Sequence, residues 1–191
     1  MSQSVTDKDA SPFIRSCFDL VSPFSGTVAD VACGAGRNAC YFAKRGADVI
    51  CLDNDLNALD IVKSRNKFSG QLVPFHLDLE KQQLPFHSGQ LAGAICAWSW
   101  RYSWCNAVLE QLKNALRPGG FLIFETISAR GNNYRELPPA GLLKGIFQDR
   151  FQLKVYKETQ TTMGGANAVT VKMLALKATG LQPCAGNGER A

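Results

Sequence analysis

Residues 28–55 hold two apolar runs on either side of a turn that contains two glycines. The first run ends at Cys33 and is followed by Gly34 and Gly36, and the second, residues 47–53, ends at Asp53. We interpret this segment as strand, tight turn, helix and strand, because near-continuous apolar runs of this length suit parallel strands that are covered on both faces. A βαβ unit of this kind predicts an α/β fold with helices on both sides of a sheet.

The rest of the chain continues the alternation of strands and helices. Pro74 interrupts the third strand, which predicts a position at the edge of the sheet. Two β-rich runs at residues 151–160 and 169–178 flank a turn-forming segment and predict a hairpin. The other predicted elements are a helix from Asn54 or Asp55 to Asn66, a strand at 91–100, a helix at 106–116, an RPGG turn, a strand at 121–127 and a helix near 140–149.

Length and composition predict one folded domain without a membrane span. The chain has 191 residues, 46% of them hydrophobic and 19% charged, and its longest apolar runs reach only about ten residues. We expect residues 1–12 to be a disordered arm, residues 13–178 to form the domain, and residues 179–191 to be a flexible tail. The seven cysteines form no C-x-x-C pair and lie mostly in apolar runs, which predicts reduced thiols, no metal site and a cytoplasmic protein.

A formal net charge of +5 and a pI near 8.9 would help the protein to attract anions. The lysines and arginines are scattered, and their nearest approach to a cluster, KSRNK at 63–67, is interpreted as the exposed face of a helix. Nucleic acid is therefore disfavoured as a partner, and a small-molecule substrate is expected. The sequence carries no prediction of oligomeric state.

Glycines and aspartates in the βαβ unit predict a nucleoside-binding site. Gly34 and Gly36 remove side chains where a ligand must approach the backbone, although with Ala39 they also fit the dinucleotide pattern G-x-G-x-x-G/A. Asp53 lies 19 positions after Gly34, where a carboxylate can accept hydrogen bonds from a ribose. Asp30 and Asp78 add negative charge, which favours a cation-bearing nucleoside over a pyrophosphate carrier.

Four motifs in order carry a resemblance to a known family. The order DVACGAGRN, CLDND, HLDLE and LRPGGFLIFET resembles the class I S-adenosylmethionine-dependent methyltransferases over about residues 25–178, and within them the small bacterial tellurite-resistance-type methyltransferases. The resemblance implies a Rossmann-like three-layer sandwich around a seven-stranded, mostly parallel sheet of order 3-2-1-4-5-7-6, with an antiparallel last strand. It also implies S-adenosylmethionine as the cofactor.

The resemblance further implies roles for individual residues. Asp30 would face the methionine amino group and Asp53 would hold the ribose, while Asp78 and the Leu79 N–H would bind the adenine. Arg37 is a candidate partner of the methionine carboxylate. The predicted cofactor-binding residues are Asp30, Cys33, Gly34, Ala35, Gly36, Arg37, Asn38, Asp53, Asn54, Asp78, Leu79, Cys96 and Ala97.

Methyl transfer from a sulfonium needs alignment of the acceptor and exclusion of water, without a metal or a covalent nucleophile. The acceptor is expected beyond the carboxyl ends of the central strands, near AWSWRYSW at 97–104 and the loop at 128–140. Tyr102 and His87 are candidate general bases. The AWSW segment replaces the N/D-P-P-Y/F motif of base-methylating enzymes, which favours a small, anionic or thiol acceptor. The candidate acceptor-binding residues are Trp98, Trp100, Arg101, Tyr102 and Arg130.

Two other function classes stay open on the sequence. A nicotinamide-dependent oxidoreductase is permitted by Ala39, although the acid at position 30 argues against it. A noncatalytic cofactor-binding or RNA-associated protein is favoured by the positive charge, but no nucleic-acid motif supports it.

Overall fold

The structure is a computed structural model. It describes residues 10–65, 67–97, 102–128, 141–163 and 166–180. For residues 102–105, 127–128, 142, 161–163 and 166–168 it describes the backbone alone.

Helices and strands alternate through most of the described chain, as the sequence predicts. The helices are α1 Pro12–Val21, α2 Arg37–Ala43, α3 Leu56–Ser64, α4 Tyr102–Ala115 and α5 Leu142–Phe147. The strands are β1 Val28–Val31, β2 Val49–Asp53, β3 Leu72–His76, β4 Leu91–Ala97, β5 Leu116–Ser128, β6 Phe151–Met163 and β7 Ala166–Lys177. The predicted RPGG turn lies inside β5, where the pairing with β4 shifts register between Leu91 and Gly93.

The seven strands form one sheet in the order β3-β2-β1-β4-β5-β7-β6, which confirms the predicted topology. β1 pairs in parallel with β2 and β4, and β4 pairs in parallel with β5. β7 runs antiparallel to both β5 and β6, as predicted for the last strand. Pro74 lies in β3 at the outer edge of the sheet, where a missing N–H leaves no ladder bond unmade.

Side chains from the two faces of the sheet form two buried clusters. One packs β1, β4, β5 and β7 against α4 and α5, and the other packs the opposite face against α1, α2 and α3. Phe18 of α1 meets Phe42 of α2 edge to face, with ring centroids 4.9 Å apart. Phe42 is fully buried, and burial of such a side chain contributes roughly 1.5–3 kcal/mol to the stability of this face.

The helix α1 is absent from the sequence interpretation and shortens the predicted arm. Ser11 caps it by accepting a hydrogen bond from the Phe13 N–H, and Pro12 occupies its first turn. Ala10 and Ser11 are buried, at 1% and 5% exposure, so the domain begins by residue 10 and the boundary predicted at residue 12 is wrong. Residues 1–9 and 181–191 lie outside the described residues.

Of the helices in the described ranges, none combines the length and the apolar character that a membrane crossing requires.

Candidate functional site

The parallel strands bring the predicted cofactor residues to one edge of the sheet. β1 leads into the glycine loop at residues 32–36, β2 ends at Asp53, and β4 ends at Ala97. Because parallel strands end on the same side, these positions lie together at what we call the carboxyl edge. The opposite side, where the parallel strands begin, is the amino edge.

Three residues with a left-handed backbone conformation shape the glycine loop. Ala32, Gly34 and Gly36 have φ values of 55°, 53° and 76°, which lie in the left-handed region. Glycine adopts this region without strain, whereas an alanine there costs on the order of 1–2 kcal/mol. The strained Ala32 follows β1 directly, so local strain marks the start of the predicted binding loop.

The two glycines serve different purposes in this loop. A Cβ on Gly34 would have no atom within 4 Å, so the loop is open on this side. A Cβ on Gly36 would lie 2.8 Å from Cγ2 of Val62 in α3, so Gly36 permits close packing of the loop on that helix. The open side of Gly34 is where a ligand can reach the backbone without meeting a side chain.

Asp53 is joined directly to the glycine loop. Its Oδ2 accepts a hydrogen bond of 2.7 Å from the Gly34 N–H, and its Oδ1 accepts one of 2.9 Å from the Asp55 N–H. The residue is half-buried. A carboxylate has about four acceptor positions, so two oriented backbone donors leave capacity for hydroxyl groups of a ligand.

Asp30 lies beneath the loop rather than on its open side. The carboxylate is 1% exposed, and its Oδ2 accepts a hydrogen bond of 3.1 Å from the Ala39 N–H in the first turns of α2. Burial raises the pKa of Asp30 from 3.8 to about 7, while the Ala39 hydrogen bond and the nearby Arg37 oppose the rise. In this structure the Asp30 carboxylate supports the loop through Ala39, and its contact with an amino group stays a prediction.

Asp78 lies in a turn that follows β3. Its Oδ1 accepts a hydrogen bond of 3.0 Å from the Glu80 N–H, and its Oδ2 lies 2.8 Å from Nζ of Lys81. The hydrogen bond with Lys81 and that with Glu80 hold the pKa of Asp78 below its usual value. Leu79 is half-buried against the core, and Asn54 is exposed beside Asp53.

The remaining predicted cofactor residues divide between the loop and the end of β4. Arg37 is exposed at the first position of α2, whereas Asn38 beside it is buried. Cys96 and Ala97 are buried at the end of β4, as a floor beneath the carboxyl edge requires. Cys33 is buried. The hydrogen bond with the Cys51 side chain and, to a smaller extent, burial raise the pKa of the Cys33 thiol far above the usual range, so the thiol is protonated.

The predicted acceptor residues fall mostly outside the description. Trp98, Trp100, Arg101 and Arg130 lie outside the described residues, and only the backbone of Tyr102 is described, at the start of α4. The described strand β4 ends at Ala97, at the carboxyl edge.

His87 is not at this site. It is exposed in the segment before β4, where its N–H donates to Oε1 of Gln90 at 2.9 Å. Residues that precede a parallel strand lie at the amino edge, and the seven residues of β4 separate the two edges by roughly 20 Å at about 3.3 Å per residue. In this structure His87 therefore lies away from the residues of the carboxyl edge, and its role as a general base stays a prediction.

Hydrogen bonds connect the site to three residues that the sequence interpretation did not assign to it, namely Arg65, Ser11 and Glu125. Nη1 of Arg65 donates to the Ala35 carbonyl at 2.6 Å, so the segment KSRNK is not simply an exposed helix face. Glu125 of β5 is buried and bonds to the Ser11 hydroxyl. The signal for Glu125 was present in the sequence, because an acid inside the apolar run FLIFETI requires a partner just as Asp30 does.

Comparison with known proteins identifies the central segment. A family model described as a methyltransferase domain matches residues 28–120. The chain is 32% identical over 103 residues to a malonyl-[acyl-carrier protein] O-methyltransferase of Serratia marcescens, covering 52% of this chain and 38% of that protein. It is 29% identical over 125 residues to the ribosomal RNA small subunit methyltransferase C of Photorhabdus laumondii, covering 59% and 34%. The chain thus spans about a third of the length of these relatives.

The solved structures extend the likeness to the whole described fold. TehB from Haemophilus influenzae superposes with a TM-score of 0.75 at 16% identity, covering 88% of this chain and 62% of that one. The hairpin of β6 and β7, beyond the matched domain, completes the sheet order of this fold. Residues 28–120 therefore match a methyltransferase domain, and the described chain shares the fold of TehB.

Proposed function

We propose that the protein transfers a methyl group from S-adenosylmethionine to a small acceptor, anionic or thiol in character, at the carboxyl edge. The observation that carries the proposal is the glycine loop, whose open Gly34 lies beside a carboxylate bonded to its own N–H. A nucleoside with an amino-acid tail requires this combination of bare backbone and ribose acceptor.

The residues of the carboxyl edge fit the parts of such a cofactor. Asp53 would accept hydrogen bonds from the ribose hydroxyls, and Asp78 with Leu79 would bind the adenine. Gly34 would leave room for the methionine portion, and Cys96 and Ala97 would form the floor. Asp30 would act through the loop, because its carboxylate fixes the first turns of α2.

The chain's own part in the chemistry is alignment. When bound, S-adenosylmethionine supplies a methyl group already activated by a positive sulfur, so the protein must hold the acceptor in line and exclude water. Carboxylates near the loop would favour a cationic ligand at this edge. No general base is assigned among the described residues.

The acceptor class rests on the segment after β4 and on one relative. AWSW replaces the motif that base-methylating enzymes use, and Arg101 follows it as a cationic group for an anionic acceptor. The Serratia marcescens relative is named for O-methylation of a malonyl group. The Photorhabdus laumondii relative is named for ribosomal RNA, so RNA belongs in the acceptor test. The nicotinamide alternative is not favoured, since the matched domain is a methyltransferase domain.

The cofactor assignment is tested by titration calorimetry with S-adenosylhomocysteine and NAD. We expect S-adenosylhomocysteine to bind and NAD to give no heat. Asp53→Ala should weaken binding by at least about tenfold, because hydrogen bonds to a charged group contribute about 1.5–3 kcal/mol. Asp60→Asn, an exposed carboxylate in α3, is the matched control and should leave binding unchanged.

The acceptor is tested with a labelled methyl donor. Purified protein would be offered carboxylates, oxyanions, thiols and RNA in separate reactions, with Asp53→Ala as the inactive control. Label on an anionic or thiol small molecule supports the proposed acceptor class, and label on RNA alone contradicts it. Absence of S-adenosylhomocysteine binding at millimolar concentration would contradict the proposed function as a whole.

A further inference from the structure

A chain of buried polar contacts joins the end of β5 to the first turn of α2. The Ser11 hydroxyl donates to Oε2 of Glu125, which lies 114 positions away in the sequence. The Ser11 N–H donates to Oδ1 of Asn38 at 3.3 Å. Oε1 of Glu125 lies 3.2 Å from Nζ of Lys172 in β7. We call Ser11, Asn38 and Glu125 the cross-edge link.

This link lies at the carboxyl edge. Glu125 pairs in register with Ala97, the last residue of β4. Asn38 follows Arg37 at the start of α2, directly after the glycine loop. The link therefore joins β5 to the helix that directly follows the glycine loop.

All three members of the link are enclosed by protein. Glu125 is 1% exposed, and Ser11 and Asn38 are each 5% exposed. Lys172, its cationic partner, keeps a side chain 35% exposed and lies over the Phe13 ring, with Nζ 5.6 Å from the centroid. Burying a carboxylate is unfavourable unless its partners compensate, and apolar side chains in place of both members of a buried ion pair often give equal or higher stability.

The arrangement favours a positional role over a stabilising one. Packing alone would be served at least as well by an apolar residue in β5, as at the neighbouring buried Phe124. Hydrogen bonds, in contrast, fix both the distance and the direction between two elements. The two elements fixed here are the glycine loop and the end of β5.

We propose that Glu125 is a positioning residue, which acts through Ser11 and Asn38 to hold the first turn of α2, and with it the glycine loop, in the arrangement that binds the cofactor. The inference rests on the proposed function, because the affinity it concerns is that for the S-adenosyl nucleoside. Glu125 makes no contact with the cofactor in this proposal. Its effect on affinity is a coupling between two places in the fold.

Three variants test the cross-edge link. Glu125→Met replaces the buried ion with an apolar side chain, and Ser11→Ala removes the hydroxyl, while Ser11→Thr keeps a hydroxyl and is the matched control. We expect Glu125→Met and Ser11→Ala each to raise the Kd for S-adenosylhomocysteine by at least about fivefold, the lower end of coupling between sites. Ser11→Thr should stay within about twofold of the wild type.

Two further measurements separate position from stability. The unfolding midpoint of Glu125→Met is expected to fall, because Lys172 and the Ser11 hydroxyl lose a partner, but to stay above the temperature of the titration, so that the affinity of folded protein is measured. Amide hydrogen exchange in the ligand-free protein is expected to accelerate at residues 38–40 in Glu125→Met and Ser11→Ala and to remain unchanged in Ser11→Thr.

Each outcome decides between the proposals. If the wild type binds S-adenosylhomocysteine and the two variants bind it equally well, the positioning role of Glu125 is overturned and the proposed function stands. If the wild type does not bind, the proposed function fails, and exchange at residues 38–40 alone then decides the link. Unchanged exchange in both variants overturns the link whatever the ligand does.

Discussion

The two edges of the sheet differ in what they offer a ligand. The amino edge has a cavity of about 460 Å³ lined largely by apolar side chains, among them Val21, Phe24 and Phe121, with Arg117 beside them. The carboxyl edge has the strained loop, the open Gly34 and the carboxylate of Asp53. Chemistry, and not the size of a cavity, favours the carboxyl edge as the proposed site, because the proposed methyl transfer requires oriented acceptors and bare backbone rather than volume.

The largest contrast between the edges is expected at two glycines of similar conformation. Gly36 has φ 76° and Gly89, next to the amino edge, has φ 73°, but only Gly36 would place a Cβ against Val62. Gly36→Ala should lower the free energy of unfolding by about 2–5 kcal/mol, from left-handed strain and displacement of Val62 together. Urea denaturation measures this loss, and calorimetry should show that S-adenosylhomocysteine binding is largely lost.

Gly89→Ala is the control for conformation alone. Its Cβ would have no atom within 4 Å, so only the left-handed strain of about 1–2 kcal/mol is expected, with the ligand affinity of the wild type. Equal loss of affinity in both variants would show that the loop at residues 32–36 is not special.

The carboxyl edge was predictable where its contacts are local in sequence. The βαβ unit, its two glycines and the spacing to Asp53 all lie within residues 28–55, and apolar periodicity with glycine chemistry determines their arrangement. The sheet order followed from the resemblance of four motifs. Pro74 at the sheet edge followed from its missing N–H.

Contacts between distant segments were not predictable in the same way. Arg65 reaches the Ala35 carbonyl across 30 positions, and whether a helical arginine points to solvent or to a loop depends on tertiary packing. Ser11 was interpreted as part of an arm, although Ser followed by Pro is a signal for a helix start. The position of His87 at the amino edge followed from a usable rule, because a residue just before a parallel strand lies at that edge.

The buried Asp30 should give the carboxyl edge a pH dependence that the amino edge lacks. In the folded protein Asp30 keeps its proton up to about pH 7, whereas the unfolded chain releases it near pH 3.8. The folded state therefore binds more protons between these values, so the free energy of unfolding falls as the pH rises from about 4 to 7. Asp30→Asn removes this dependence and still accepts the Ala39 hydrogen bond.

We expect Asp30→Asn to be more stable than the wild type at pH 8 by about 1–3 kcal/mol. The upper limit is about 4 kcal/mol, because each unit of difference between the folded and unfolded pKa corresponds to about 1.36 kcal/mol. Near pH 4 the difference should vanish. Urea denaturation between pH 4 and 8 measures this difference in stability. Asp48→Asn is the control, because Asp48 at the amino edge is exposed but also accepts a backbone hydrogen bond, from the Gln71 N–H at 3.0 Å. A constant difference between Asp30→Asn and wild type across this range would contradict the burial argument.

Two arginines provide a smaller contrast, because each donates to one backbone carbonyl at its own edge. Nη1 of Arg65 bonds to Ala35 at 2.6 Å, and Nη2 of Arg117 bonds to Ser25 at 2.7 Å. Arg65→Ala should weaken S-adenosylhomocysteine binding by roughly tenfold, since a charged hydrogen bond contributes about 1.5–3 kcal/mol to the loop. Arg117→Ala should leave the affinity unchanged in the same calorimetric titration.

Arg65→Lys refines this test. Lysine keeps the positive charge but lacks the planar guanidinium, so it should restore only part of the affinity. Full restoration would mean that charge, and not a directed hydrogen bond to Ala35, supports the loop.

The smallest expected effect distinguishes the two histidines, which are the whole histidine content of the chain. His76 ends β3 and pairs in register with Asp53 at the carboxyl edge, whereas His87 precedes β4 at the amino edge. Both are exposed, so neither substitution by alanine should change the affinity for S-adenosylhomocysteine by more than about twofold.

Proton NMR is more sensitive than affinity for this comparison. The ligand should shift the ring resonances of His76, which lies near the proposed ribose acceptor Asp53, and leave those of His87 in place. The variants His76→Ala and His87→Ala assign the two signals. A ligand-induced shift confined to His87 would move the binding site to the amino edge and its apolar cavity, and would reverse the contrast between the two edges.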